Sequence, residues 1–458
     1  MNDHQPNRSD DRRPRVPATG FPVATVVRDA LYDRVPVAAP ERALMSTAAY
    51  QRLDRIQQLG FVSRVWPGAK HSRADHSLGV LHLTRQAVAH LRSSPAGAAI
   101  SDEDARTVAA AALLHDIGHY PFSHAIEELG PPVVPHEEVG RALILGPEIA
   151  PILESDWGVD PERVGALVAP RGRNLPENDR LLRGVLSGAL DMDKLDYLPR
   201  DAHACNVPYG GVDSARLIDA LRIEEVSAAG SDPPRRRVVI GAKGVSPLHS
   251  LINARQEMFD NVYWHHTNRS CMAMLLRAVQ DAIIAGAVDP SRLWQLDDRS
   301  LLALLGSDAM PETTRRLTAG LWERRIHKRS VEFSNRAVEL YGRLGNLWFD
   351  PAARRAVENR LADGLTGITG VDVPPGAILI DIPKPEKWRT DVMVCFDEPP
   401  VGFTRLMSWK DVVGLADDDF KRYEEHRRLI RLVADEPHTF ALREHWPTLL
   451  MPLLGGVF

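Results

Sequence analysis

The chain has 458 residues, 44% of them hydrophobic and 26% charged, with a formal net charge of −5. This is the make-up of an ordinary globular protein, long enough for one large domain with appendages or for two domains. The acidic balance argues against a dedicated nucleic-acid-binding domain, although Pro234-Arg235-Arg236-Arg237 is a local run able to meet phosphate.

Cys205, Cys271 and Cys395 are widely spaced and support neither a zinc–thiolate site nor a disulfide framework. With no signal-peptide core and no apolar run beyond about eight residues, a cytoplasmic protein without a membrane span is expected. Residues 1–20 are polar and predict a disordered tail. Short β-like pieces within 21–39 predict a hairpin. Ser46 or Thr47 caps a helix running to Leu59, which Gly60 ends. After a loop at Trp66–Lys70, the 3–4 spacing of Leu83, Ala87 and Leu91 predicts a second helix. Ser101-Asp102-Glu103-Asp104 reads as a capping box for an alanine-rich helix over 102–114, which Gly118 and Pro121 then break. Pro135-His136-Glu137-Glu138 starts another helix, its acids placed where the helix dipole favours them.

Further on, the pattern predicts a helix over 181–201, a strand at 237–240 and a long helical stretch over 247–286. Beyond about residue 310 it predicts helices over 312–325, 329–344 and 351–363 and strands over 377–382, 392–396 and 403–409. A charged helix over 417–434 follows. Trp388, Trp409 and Trp446 read as core. The fold class is mainly α: a helical core over 21–310 with a small mixed α/β C-terminal part over 311–458.

Eight of the 17 histidines fall between His71 and His136: His71, His76, His82, His90, His115, His119, His124 and His136. His115-Asp116 ends an apolar helix, so both side chains can turn toward one point. Imidazole and carboxylate donors suit a divalent first-row metal, or magnesium where oxygens dominate. Further ligands must come from elsewhere in the chain. His76 at a helix start is one candidate. Asp193 is another, on a helix where Asp193, Lys194, Tyr197, Arg200 and Asp201 share a face. A lone His-Asp pair arises by chance, but the ordered set His76, His115-Asp116, Asp193 is hard to explain by packing.

That ordered set resembles the HD-domain metal-dependent phosphohydrolases. The flanking residues narrow the resemblance. Gln51-Arg52-Leu53 with Gln58-Leu59-Gly60, Pro67-Gly68-Ala69-x-His71-x-Arg73-x-x-His76-Ser77-Leu78-Gly79, Leu113-Leu114-His115-Asp116-Ile117-Gly118-His119 with His124, and Asp191-x-Asp193-Lys194-x-Asp196-Tyr197-x-x-Arg200-Asp201 look like the deoxynucleoside triphosphate triphosphohydrolase branch. No sterile-alpha-motif region precedes the core, so the bacterial type is the closer match. The resemblance covers roughly residues 25–280.

The resemblance implies an enzyme that hydrolyses deoxynucleoside triphosphates to deoxynucleoside and inorganic triphosphate. It implies one divalent metal per active site (Mn, Mg, Fe or Zn), ligated by His76, His115, Asp116 and Asp193. His119, His124 and His136 match histidines near the scissile phosphate. His124 is the implied general acid, with Glu127 orienting it and Glu137 holding the tautomer of His136. Arg73, Lys194 and Arg255 match triphosphate contacts, Tyr197 the residue stacked on the sugar, and Asp201 one that bonds the 3′ hydroxyl. Gln58 and Leu59 match residues that exclude a 2′ hydroxyl. Tyr263 and His266 match a further nucleotide-contacting pair in which His266 replaces a lysine, a change that weakens its phosphate contact at neutral pH. A homo-oligomer (dimer, tetramer or hexamer) and a regulatory nucleotide are further implied partners. Ser46 and Asp54 stand where activated members read a guanine with an acidic and a basic residue, which speaks against activation of that type.

Two other readings stay open on the sequence. One is an HD phosphohydrolase acting on nucleoside monophosphates or other phosphate esters. The other is a nucleic-acid-binding or nucleotide-sensing protein with a residual HD site, although binding of single-stranded nucleic acid is not indicated.

Overall fold

The computed structural model describes residues 15–170, 172, 174–227, 234–384, 391–416 and 419–455; residues 1–14 of the expected tail and Trp388 lie outside the described residues. The described residues begin inside the stretch expected to be disordered, and there Arg15 bridges Pro22 and Val16 is buried.

The strands β1 (Val23–Asp29) and β2 (Asp33–Ala38) form the predicted antiparallel hairpin. In α1 (Ala39–Met45), the Glu41 carboxylate accepts the Ala38 N–H and an Arg85 N–H, joining the hairpin to the central helix through a buried ion pair. Thr47 caps α2 (Ala48–Leu53), which stops at Leu53 rather than Leu59. The chain leaves the helix because residues 56–58 bond elsewhere: the Arg73 N–H donates to Ile56 O and the Gln58 N–H to His71 O, both at 3.0 Å.

A reciprocal capping box of Ser72 and Asp75 opens α3 (Arg73–Arg92). Its apolar residues are buried all round, as in a core helix. The helix also buries Arg73, His76 and Arg85, which must therefore find partners. Against it packs α4 (Asp102–Leu114), capped by Ser101 and Asp104 as predicted, with small Ala109–Ala112 side chains that permit close approach. His136 begins α5 (His136–Ile144), again as predicted. The short α6 (Ala150–Ile152) runs into a π turn, and α7 (Pro161–Val168) and α8 (Glu177–Leu186) pack on α4.

The helix predicted over 181–201 is two helices. After α8 ends, the Asp191 carboxylate accepts the Gly188 and Lys194 N–H groups and starts α9 (Met192–Cys205). Asp193 thereby stands in the first turn of α9. Next come α10 (Ser214–Asp219), β3 (Leu221–Val226) and β4 (Arg235–Gly241), the last containing the predicted strand. The stretch 247–286 is also divided, into α11 (Val245–Met258), a π turn at Phe259–Tyr263 and α12 (His266–Ile284). Then follow α13 (Asp298–Leu305) and α14 (Glu312–Trp322), both packed on α12.

Where one helix is predicted over 329–344, the chain forms β5 (Lys328–Phe333) and then α15 (Val338–Asn346). The predicted helix at 351–363 is α16 (Pro351–Thr369); β6 (Ile378–Asp381), β7 (Met393–Cys395) and β8 (Leu406–Ser408) lie within the predicted strands. After α17 (Trp409–Val413), α18 (Asp419–Arg427) is shorter than predicted, and residues 430–434 become the buried strand β9 (Ile430–Ala434). The last helix, α19 (Thr439–Leu453), was hidden by Pro447 and Pro452 within it.

One sheet has the order β3–β4–β7–β8, with β4 and β7 parallel; the other, β5–β9–β6, is antiparallel throughout. The main core surrounds α3 and α4, a second lines α12, and a third lies under the C-terminal sheet with α16 and α19. All three cysteines are free and buried, and among the described residues no helix is long and apolar enough to cross a membrane.

The contact between α3 and α9 depends on Gly79, where a Cβ would stand 1.9 Å from Asp196 Oδ1. Gly79→Ala is expected to cost about 1–3 kcal/mol by forcing the two helices apart. Thermal unfolding checks this, and an unchanged Tm would show that the close approach is not tight.

Candidate metal centre and its histidine neighbours

Three elements bring the first group of donors together. His76 comes from the first turn of α3, His115 and Asp116 from the end of α4, and Asp193 from the first turn of α9. Ligand atoms of His76, His115 and Asp193 lie within 4.8 Å of one another. His76 Nε2 is 3.1 Å from Asp193 Oδ1, and His115 Nε2 is 4.0 Å from the same oxygen. Asp116 stands beside this group, with Oδ1 3.3 Å from His115 Nε2 and Oδ2 3.9 Å from His76 Nε2.

The chemistry of these donors fits a divalent cation. His115 Nδ1 donates to Ala112 O at 2.9 Å, so Nε2 carries the lone pair, and that buried atom has no hydrogen-bond partner. His76 Nδ1 is held by Asp196 Oδ2 at 2.8 Å, which likewise leaves Nε2 as the donor toward a metal. A carboxylate or carbonyl behind each ligating histidine is the usual support of such a site. Asp116 and Asp193 are both ionised. Burial alone would raise their pKa values, but Arg73 and the neighbouring histidines hold Asp116 well below the usual range, and His76 brings Asp193 to about 2. Burial would lower His76, yet its bonds to Asp193 and Asp196 prevail and raise it to about 10 in the absence of a cation.

Beside this group stands a second one. Atoms of His119, His124, Glu127 and His136 also fall within 4.8 Å of one another. Glu127 is its hub: Oε2 meets His124 Nδ1 at 2.9 Å, and Oε1 meets both Nδ1 (3.0 Å) and the backbone N–H (2.8 Å) of His136. Glu127, rather than the expected Glu137, therefore fixes the tautomer of His136; Glu137 Oε2 is 3.6 Å away, beyond hydrogen-bond reach. The His119 and His136 rings stack at 3.8 Å. Burial, Arg73 and His136 together push His119 well down, so it is neutral. His136 is raised, because Glu127 outweighs the cost of burial. The His124 side chain is 64% exposed and is the one of the three that solvent reaches freely.

Arg73 links the two groups: Nη1 contacts Asp116 Oδ2, and Nε donates to Ser123 Oγ at 3.1 Å. The ring of Tyr197 is 6.4 Å from that of His76, and its hydroxyl is bonded by Arg255. Asp201 already receives His71 Nε2 at 2.8 Å and the Tyr263 hydroxyl at 2.7 Å. Lys194 Nζ is held by Asp191 Oδ2 and Gly188 O. Gln58 is buried with an unpartnered Oε1, and Leu59 is half-buried. His266 packs on the His265 ring at 4.3 Å; burial, Arg329 and Arg431 lower its pKa, so it brings no positive charge at neutral pH.

Sequence reasoning gave no role to Asp196, Tyr32, Asp29, Arg200, His71 or Ser123. Asp196 and Arg200 were visible in the motif, three and seven residues beyond Asp193. Tyr32 and Asp29 carried no signal, because their contacts to Asp196 and Arg200 span more than 160 residues.

Residues 73–198 match the HD domain model, and residues 212–403 match that of the HD associated region. The chain carries an HD domain. It is 33% identical to the uncharacterized protein YwfO of Bacillus subtilis, over 52% of this chain and 51% of that one. It is 30% identical to deoxynucleoside triphosphate triphosphohydrolase SAMHD1 of Homo sapiens, over 55% of this chain and 44% of that one. The chain spans about half the length of the curated relatives it matches. A crystal structure of a hypothetical protein from Aquifex aeolicus shares the fold, with a TM-score of 0.68 at 24% identity, covering 92% of this chain and 99% of that one. The four donors of the first group all lie inside the HD match.

Loss of a ligand should empty the centre. His115→Ala and Asp116→Ala are expected to hold far less than one divalent ion per chain after dialysis, by elemental analysis; full retention in either would remove it from the ligand set. Asp196→Asn, which removes the carboxylate behind the His76 ring and with it the charge that Tyr32 and Arg200 also bond, should weaken metal binding by about 10–100-fold in a calorimetric titration.

Proposed function

We propose that this HD protein is a metal-dependent phosphohydrolase that cleaves deoxynucleoside triphosphates to deoxynucleoside and inorganic triphosphate. The observation that carries this reading is the adjacency of two different groups on one carboxylate. Asp116 Oδ1 is 3.3 Å from His115 Nε2 on the metal side and 3.3 Å from His119 Nε2 on the other. Metal-type donors and imidazoles thus meet on one carboxylate, an arrangement suited to phosphoester hydrolysis. The SAMHD1 relatives of human, chicken and Dictyostelium discoideum, named as deoxynucleoside triphosphate triphosphohydrolases, support the choice of substrate.

When bound, the cation supplies Lewis-acid activation of water and of a phosphoryl oxygen. The chain's own residues do the rest. Arg73 offers a planar guanidinium to the phosphates, beside Lys194 and Arg255. His124, its Nδ1 fixed by Glu127, presents Nε2 to protonate the departing 5′ oxygen. His119 and His136 line the phosphate, and Tyr197 and Asp201 hold the sugar. The packing of Gln58 and Leu59 excludes a 2′ hydroxyl. The same reading carries with it a homo-oligomer and a cytoplasmic location.

One observation favours the alternative of a smaller phosphate ester. Lys194 is already held by Asp191 and Gly188, and His266 adds no charge, so fewer free cations face a triphosphate.

Purified protein with Mn²⁺ or Mg²⁺ should release triphosphate from the four deoxynucleotides, supplied singly and mixed. Orthophosphate from a monophosphate instead would establish the alternative. His124→Ala should lower kcat by about 10²–10⁴-fold with metal content unchanged; loss of binding without loss of kcat would deny it the acid role. GTP should be a far poorer substrate than dGTP, and equal rates would refute the sugar packing argument.

A further inference from the structure

The turn between His119 and His124 contains two consecutive residues in the left-handed region, Phe122 (φ 57°) and Ser123 (φ 61°). Neither is glycine, so the conformation persists only because its surroundings hold it. The Phe122 ring stacks on Phe61 at 4.3 Å. Ser123 Oγ sits between Arg73 Nε and the carbonyls of Gln57 and Gln58. The third restraint comes from far along the chain. The Phe122 N–H donates to Asp298 Oδ1 at 2.6 Å, and the Gln57 N–H donates to Asp298 Oδ2 at 3.0 Å.

We propose that Asp298 is a positioning residue: one carboxylate clamps the turn that presents His119 and His124 to the loop that presents Gln58 and Leu59. Asp298 belongs to the HD associated region, outside the HD domain that supplies the histidines. It is only 8% exposed, and among the described residues no cation forms an ion pair with it. A buried carboxylate without a cation is unfavourable unless its lone pairs are used. Here the two backbone N–H groups use them, and the position at the start of α13 adds the favourable end of the helix dipole. Burial raises its pKa to about 6, against the pull of those two bonds and of Arg73, so at neutral pH it is ionised and accepts both. Surface capping alone, already performed by Asp297, explains neither the burial nor the two partners.

The proposal rests on the catalytic reading of the histidines only for its kinetic arm. The test uses the full chain loaded with Mn²⁺ at pH 7.5 and the D298N variant, whose amide can accept only one of the two bonds. Amide hydrogen exchange is expected to rise at least tenfold in residues 56–60 and 119–124, and to stay within threefold in α3, α4 and α9, with metal content unchanged. On a deoxynucleotide that the wild type cleaves, kcat should fall tenfold or more with KM within threefold. Unchanged exchange in both segments, or a uniform rise along the chain, overturns the proposal. Absence of wild-type turnover on every deoxynucleotide would end the substrate reading and leave exchange to decide. If D298N does not fold, D298E keeps the charge but displaces it; the same local exchange pattern is expected, and wild-type exchange in it counts against the clamp.

Discussion

The carboxylate of Asp196 is fully buried and accepts four hydrogen bonds, from His76 Nδ1, the Tyr32 hydroxyl, and Nε and Nη2 of Arg200, all at 2.8–2.9 Å. Arg200 extends the network to Asp29 at 2.9 Å. A buried ion is tolerated only when its lone pairs and its counter-charge are both satisfied, and here they are. The consequence is geometric. The hairpin, α3 and α9 cannot shift independently, and the His76 ring is held with Nε2 facing Asp193. Gly79 makes this possible, since any side chain there would occupy the place of the carboxylate. The metal centre is thus the visible end of a network reaching back to the first strand pair.

The two histidine groups differ in what their environments do to them. Around the metal centre, carboxylates are held ionised and imidazoles are supported from behind. Around Glu127, burial and Arg73 keep His119 neutral while the carboxylate raises His136. Neighbouring titratable groups driven in opposite directions suit acid–base work, which supports the proposed division between ligation and proton handling. Asp116 belongs to both halves, and Arg73 keeps its second oxygen occupied.

The helical framework before residue 180 was largely legible, because its boundaries carry local signals. Ser101 with Asp104 and Pro135 with His136 begin the helices where capping chemistry places them. The proximity of His76, His115, Asp116 and Asp193 was legible because these residues sit in short motifs. What escaped depends on distant partners. Residues 329–333 and 430–434 read as helix but form strands because each pairs with the other, register Phe333 to Ile430. The break at Ser187–Asp191 is made by one side chain, Asp191. Asp298 gave no signal, since the backbone groups it serves lie 176 and 241 residues away.

The C-terminal region bears on the site through the same kind of contact. Arg269 on α12 is fully engaged, with Glu128 at 3.1 Å on one side and Asp381 of β6 on the other at 2.7 Å. Glu128 is the neighbour of Glu127, so the C-terminal sheet is tied to the segment that carries His124 and Glu127. Phe61, Tyr120, Phe122 and Ile126 pack in the same apolar cluster as Leu275 and Val279 of α12. Buried ion pairs contribute more to a defined arrangement than to net stability. Residues 73–198 alone supply His76, His115, Asp116 and Asp193, whereas the turn bearing His119 and His124 takes its shape from α12, α13 and the sheet beyond. The metal-type donors and the Glu127 group therefore depend on different parts of the chain, and the second is the one that the C-terminal region touches.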